Sequence, residues 1–195
     1  MNVLCIAGFL GSGKTTILLE VAHALAEDGS SLAVIENEIG EVGIDGGYVR
    51  EQGLPVRELF GGCICCTLQV GLVETFRTVS DAYHPDWVVI EPTGLAAPGE
   101  ITDLVAANVP ELDRLRVLTV VDAERWPMLL QVVEPLGTSQ LESADVVAVN
   151  KIDVVDETAL VAVLESVRAL ARQARTLPVS AASGAGMPAL LRAVP

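Results

Sequence analysis

Eight residues near the start of the chain, Gly8-Phe9-Leu10-Gly11-Ser12-Gly13-Lys14-Thr15, fill the pattern G-x-x-x-x-G-K-[ST]. Glycines at Gly8, Gly11 and Gly13 let backbone N–H groups, that of Ser12 among them, converge on phosphate oxygens. Lys14 then reaches the β- and γ-phosphates, Thr15 offers its hydroxyl to Mg²⁺, and Thr16 extends the nucleotide contacts into a helix. A plain glycine-rich turn is the competing reading. The complete pattern, after a strand-like run and before a helical one, argues against it.

A second motif, Asn150-Lys151-Ile152-Asp153, follows the apolar run Val146–Val149. A carboxylate at Asp153 accepts hydrogen bonds from the N1–H and exocyclic amine of guanine. Adenine presents an acceptor and no amine there, so it is disfavoured. The stem of Lys151 can cover the base, and Asn150 can fasten this loop to its neighbour. Ser180-Ala181 near the end supplies a backbone contact to the guanine oxygen. Four such residues alone would read as a solvated turn; with the phosphate loop upstream they read as a base pocket. The only two lysines of the chain, Lys14 and Lys151, fall in these two motifs. GTP is therefore the expected ligand, with GDP as its product form.

Three further loops carry acidic or thiol groups. Glu91-Pro92-Thr93-Gly94 follows another strand-like run, placing a carboxylate to hold Mg²⁺ directly or through water and a Gly94 N–H to sense the γ-phosphate. Glu38, Glu41 and Asp45 lie in the acidic stretch Glu36–Asp45 and are candidates for positioning an attacking water. A solvated acidic loop is the alternative there. Cys63, Cys65 and Cys66 form C-x-C-C after Gly61-Gly62. Thiolates so spaced suit Zn²⁺ or another thiophilic ion with an open coordination position; a redox pair or three buried small residues are the alternatives. Cys5 sits inside a strand-like run and reads as a buried thiol.

These loops need a frame that presents them together. Strands are expected at Val3–Phe9, Leu32–Glu36, Val56–Phe60, Trp87–Glu91, Val117–Asp122, Val146–Asn150 and Leu177–Ser180. Helical patterns are clearest at Lys14–Glu27, Leu68–Ala82 and Glu157–Arg175. Runs such as VVIE and VLTVVD are apolar at consecutive positions, as in strands buried on both faces. The alternation implies an α/β fold: a mostly parallel sheet with helices on both faces, in three layers. Ligand loops then gather at the carboxyl ends of the strands.

Composition narrows the partners. Of 195 residues, 51% are hydrophobic but only 4% aromatic, so an aliphatic core is expected within a single domain, residues 1–195. A net charge of −14 argues against nucleic acid and anionic membrane surfaces. No apolar run reaches the ~20 residues of a membrane-spanning helix. The opening residues lack the basic region of a signal peptide, so a cytoplasmic location with reduced thiols is expected.

Taken together, GFLGSGKTT, ENEIGEVGID, GGCICC, EPTGLAAP, Val121–Ala123, SQLESADVVAVNKID and SAASG resemble the CobW-like family of SIMIBI-class P-loop GTPases. The resemblance implies a P-loop NTPase fold and a slow, metal-responsive GTPase. Such a protein delivers a metal ion or metal cofactor to a client metalloprotein, and nucleotide-dependent homodimers occur in the family. It places Zn²⁺ or a similar ion on Cys63, Cys65 and Cys66. Many members carry a further C-terminal domain, which is not expected within these 195 residues; a separate recognition subunit would then supply client contacts. A regulatory or assembly factor for a corrinoid or other metalloprotein, with little hydrolysis, is the alternative. A P-loop small-molecule kinase is a more distant one.

Overall fold

A computed structural model describes residues 1–36, 57–58, 68–94, 96–109, 111–132 and 134–194. Its strands are β1 (Asn2–Ala7), β2 (Leu32–Glu36), β3 (Arg57–Glu58), β4 (Trp87–Glu91), β5 (Arg114–Asp122), β6 (Val146–Asn150) and β7 (Arg175–Pro178). Its α-helices are α1 (Lys14–Glu27), α2 (Leu68–Tyr83), α3 (Pro98–Asn108), α4 (Trp126–Val132), α5 (Glu134–Glu142), α6 (Glu157–Leu170) and α7 (Met187–Leu191). The strands form one seven-stranded sheet in the order β3-β2-β4-β1-β5-β6-β7. Every pairing is parallel. The expected α/β class and layering are both present.

The two-residue period of a strand explains why these runs are apolar throughout. Leu4, Ile6, Val89, Leu118, Val120 and Ala148 point to one face, where Ile17, Leu18 and Val21 of α1 and Leu190 of α7 cover them. Alternate residues serve the other face. There Val3, Val88 and Ile90 pack with Phe76 of α2 and Val105 of α3, while Val147 and Val149 pack with Leu141 of α5 and Val163 of α6. Both faces are thus dry, as all-parallel sheets require. Among the described residues, no helix is long and apolar enough to cross a membrane.

Several boundaries move from their expected places. β1 stops at Ala7 rather than Phe9, because Gly8 takes φ +138° and turns the chain out of the sheet. β5 starts three residues earlier than expected, and its added end includes Arg116, paired with Asp145 at 3.3 Å. β7 spans Arg175–Pro178 instead of Leu177–Ser180. It lies at one end of the described strand order, and so tolerates the missing N–H of Pro178. The helix expected to reach Arg175 ends at Leu170, leaving a short link into β7.

Candidate functional site

The carboxyl ends of β1, β4, β5 and β6 lie side by side, so the loops after them share one rim. The first of these loops is shaped by close backbone approach. A Cβ on Gly8 would stand 2.3 Å from the carbonyl oxygen of Val120 in β5, so a side chain cannot be placed there. The loop ends at Gly13, φ +96°, which caps α1 without any side-chain hydrogen bond. The first turn of α1 carries no acidic residue either. Its first N–H groups are therefore free of side-chain capping and of acidic neighbours in the first turn, an arrangement suited to an anion.

Lys14 is buried, with its Nζ donating to the Phe9 carbonyl at 3.4 Å and lying 3.8 Å from Glu91 Oε1. The same Glu91 oxygen accepts from the Thr15 hydroxyl at 3.2 Å. Thr15 and Glu91 thus present two hard oxygens side by side, a donor pair of the type Mg²⁺ prefers. Thr16 is exposed one residue further along α1.

The loop after β4 is packed against the phosphate loop. A Cβ on Gly94 would come within 2.7 Å of the Leu10 nitrogen. Gln140 of α5, almost wholly buried, holds this loop from the other side. Its Nε2 donates to the carbonyls of Gly94 and Ala96, each at 3.1 Å. The Gln140 backbone carbonyl in turn accepts from the buried Thr119 hydroxyl at 2.9 Å.

The loop after β6 is fastened by one amide. Asn150 Nδ2 donates to the Ser12 carbonyl at 2.9 Å, and Asn150 Oδ1 accepts from the Ala181 N–H at 3.0 Å. Contact with the phosphate loop is close enough that a Cβ on Gly13 would stand 2.4 Å from Asn150 Nδ2. Lys151 adopts φ +65° and donates through Nζ to Asp122 Oδ2 at 2.7 Å. Anchoring the ammonium there leaves the stem as a wall. Asp153 is exposed in the single 3₁₀ turn that follows, and its carboxylate makes no hydrogen bond among the described residues. Ser180 is fully buried and orders the last loop by accepting from the Ser183 N–H at 3.1 Å.

The match to a family model agrees with this geometry: residues 2–178 fit the nucleotide-binding domain described as CobW/HypB/UreG. The chain belongs to the CobW/HypB/UreG family. Its similarity to the zinc chaperone YeiR of Escherichia coli is 41% identity over 160 residues, covering 76% of this chain and 45% of that one. A structure of Zn(II)-bound YjiA GTPase from E. coli shares 26% identity at a TM-score of 0.59, covering 86% of this chain and 54% of that one. The hydrogenase maturation factor HypB from Archaeoglobus fulgidus, at 16% identity, shares the fold with a TM-score of 0.67 over 98% of this chain and 87% of its own. The chain spans about half the length of the curated relatives it matches.

In this CobW/HypB/UreG domain, Gly8, Gly11, Ser12, Gly13, Lys14, Thr15, Glu91, Gly94, Asn150, Lys151, Ser180 and Ala181 are all brought to one rim, with Asp153 at its edge. Glu38, Glu41, Asp45, Cys63, Cys65 and Cys66 lie outside the described residues. Among the described residues, no cluster of three or more His, Cys, Asp and Glu could hold a metal ion. Cys5 behaves as a core residue, fully buried in β1, and desolvation pushes its thiol up to about 12. Asp122, Gln140 and Arg125 are the contributors that motif reading leaves unassigned. Asp122 had a visible signal, a carboxylate directly after a buried run. Gln140 had none, because its role depends on a helix packing against a distant loop.

Proposed function

We propose that this domain binds GTP with Mg²⁺ and hydrolyses it slowly. Hydrolysis gates the transfer of a thiophilic metal ion, zinc first, to a client metalloprotein. One observation carries the nucleotide part: the exposed, uncommitted Asp153 carboxylate sits on a loop that Asn150 ties directly to the phosphate loop. Base selection and phosphate binding are thereby held in one rigid frame. The names of the relatives, zinc chaperones and a zinc-bound GTPase, support the metal part.

In this reading the N–H groups of Gly11, Gly13 and Lys14 surround the phosphates, the Ser12 N–H being held by the Phe9 carbonyl at 3.1 Å, and Lys14 offsets charge on the γ-phosphate. Thr15 and Glu91 would hold Mg²⁺, which supplies further charge neutralisation on the phosphate oxygens when bound. Gly94 senses the γ-phosphate, and Glu38, Glu41 or Asp45 positions the water. Cys63, Cys65 and Cys66 take the metal cargo as thiolates. Lys151 and the Ser180-Ala181 backbone complete the base pocket. A client or recognition subunit, nucleotide-dependent self-association and a cytoplasmic setting belong to the same proposal.

Asp153→Asn tests the base assignment. Loss of a charge-assisted pair predicts a fall in GTP affinity of about 10- to 100-fold with little change for ATP. Unchanged preference for GTP over ATP would refute the pocket. The metal part is tested by titrating Zn²⁺ into the GDP and GTP forms, with a Cys63/Cys65/Cys66→Ala variant alongside. Equal affinity in both nucleotide states would remove the gating.

A further inference from the structure

One cation at the phosphate loop has no role in the reading above. Arg125 follows β5 in the turn that leads into α4. Its backbone N–H is fixed by Asp122 Oδ1 at 3.2 Å, and the same oxygen accepts from the Glu124 N–H at 3.0 Å. The side chain is exposed and lies along the phosphate loop, where Nη1 donates to the Leu10 carbonyl at 3.4 Å. Contact continues over Gly11, since a Cβ there would stand 3.0 Å from Nη1.

Lys14 and Arg125 therefore bind consecutive carbonyls of one loop, those of Phe9 and Leu10. Their environments differ in a way that matters. Lys14 is buried and lies 3.8 Å from Glu91. Arg125 pairs with no carboxylate among the described residues, although the chain carries 26 acidic residues against 12 basic ones. Its one bond is at the long end for N–H···O, and the other guanidinium donors are uncommitted among the described residues. A guanidinium suits bidentate contact with phosphate better than an ammonium does.

We propose that Arg125 is a second phosphate-binding cation of this site, contacting the terminal phosphate of the nucleotide bound to its own chain. The proposal rests on the phosphate-loop reading but not on which base is bound. Because Arg125 is exposed, its substitution leaves the core intact.

The test measures triphosphate and diphosphate affinities by fluorescent-nucleotide titration for wild type, Arg125→Ala and Arg125→Lys, at low and high protein concentration. The Ala variant should lose about 10-fold or more of GTP affinity relative to GDP, and the Lys variant should recover part of it. An unchanged GTP:GDP ratio in the Ala variant would show that Arg125 only fastens the Leu10 carbonyl, and would overturn the assignment. A loss seen only at high protein concentration would place the guanidinium on a second copy's nucleotide, and would also overturn it. Repeating the series with ATP and ADP separates the two readings. Adenine preference in wild type sinks the base pocket, while the triphosphate:diphosphate ratio still reports on Arg125.

Discussion

Asn150→Ala should do more damage than the size of the side chain suggests. The amide is 3% exposed and makes two hydrogen bonds, at 2.9 and 3.0 Å, to backbone groups of two other loops. Alanine removes both and leaves the Ser12 carbonyl and the Ala181 N–H without these partners. At ~1–2 kcal/mol for each bond, including the cost of an unsatisfied group, the loss comes to about 2–4 kcal/mol. For a domain of this length that is a fall of roughly 4–16 °C in Tm. Asn150→Asp is the sharper control, because it keeps the volume and the acceptor for Ala181. It replaces the donor with an anionic oxygen facing the Ser12 carbonyl, so it should cost at least as much as alanine. Thermal unfolding followed by circular dichroism, with and without nucleotide, measures both. If Asn150→Asp melts with the wild type, the bridge is not what holds these loops together.

Gln140→Leu keeps a similar volume but withdraws both donors from the loop after Glu91. Stability should fall by about 2–3 kcal/mol, and GTP and GDP should be discriminated less well; denaturant unfolding and nucleotide titration check the two effects. The Asp86 carboxylate is held below its usual range by the Ser31 hydroxyl and then the Ser31 N–H, at 2.7 and 2.8 Å. A depressed folded pKa stabilises above the ordinary value near ~3.9, and that contribution disappears as pH falls through the lower, folded value. Wild type and Asp86→Asn should therefore differ in Tm at neutral pH and converge in acid. A difference that persists in acid would refute the carboxylate's role.

The strands were legible because burial on both faces leaves a direct mark on composition. Leu32–Glu36, Trp87–Glu91 and Val146–Asn150 fall at the positions that their apolar runs indicate. Among the described residues, four helices were not legible, and all four carry proline in the first two positions: Pro98, Pro127, Pro135 and Pro188. Proline reads as a breaker in a sequence, yet the first turn of a helix makes no intrahelical use of those N–H groups. That the loops after β1 and β6 lie together was readable because both motifs directly follow apolar runs that become parallel strands on either side of β5 in one sheet. Gln140 and Arg125 escape such reading. One acts through a carbonyl 46 residues away and the other through a carbonyl 115 residues away, and a carbonyl leaves no signature in side-chain identity.

The strand order has a consequence for how the protein comes to be made. β1 is synthesised first but lies in the middle of the sheet, between β4 and β5. Its phosphate loop is then joined by Asn150, 138 residues on, and through Asn150 to Ala181. A growing chain carries the whole G-x-x-x-x-G-K-T motif long before it can assemble the frame around it. Contacts so distant in sequence form late and slow the search for the native state. The first strand must wait, apolar on both sides, for partners still inside the ribosome, which is when a holdase would matter most. The Asn150 bridge, which joins both halves of the sheet, can close only after translation has passed Ala181.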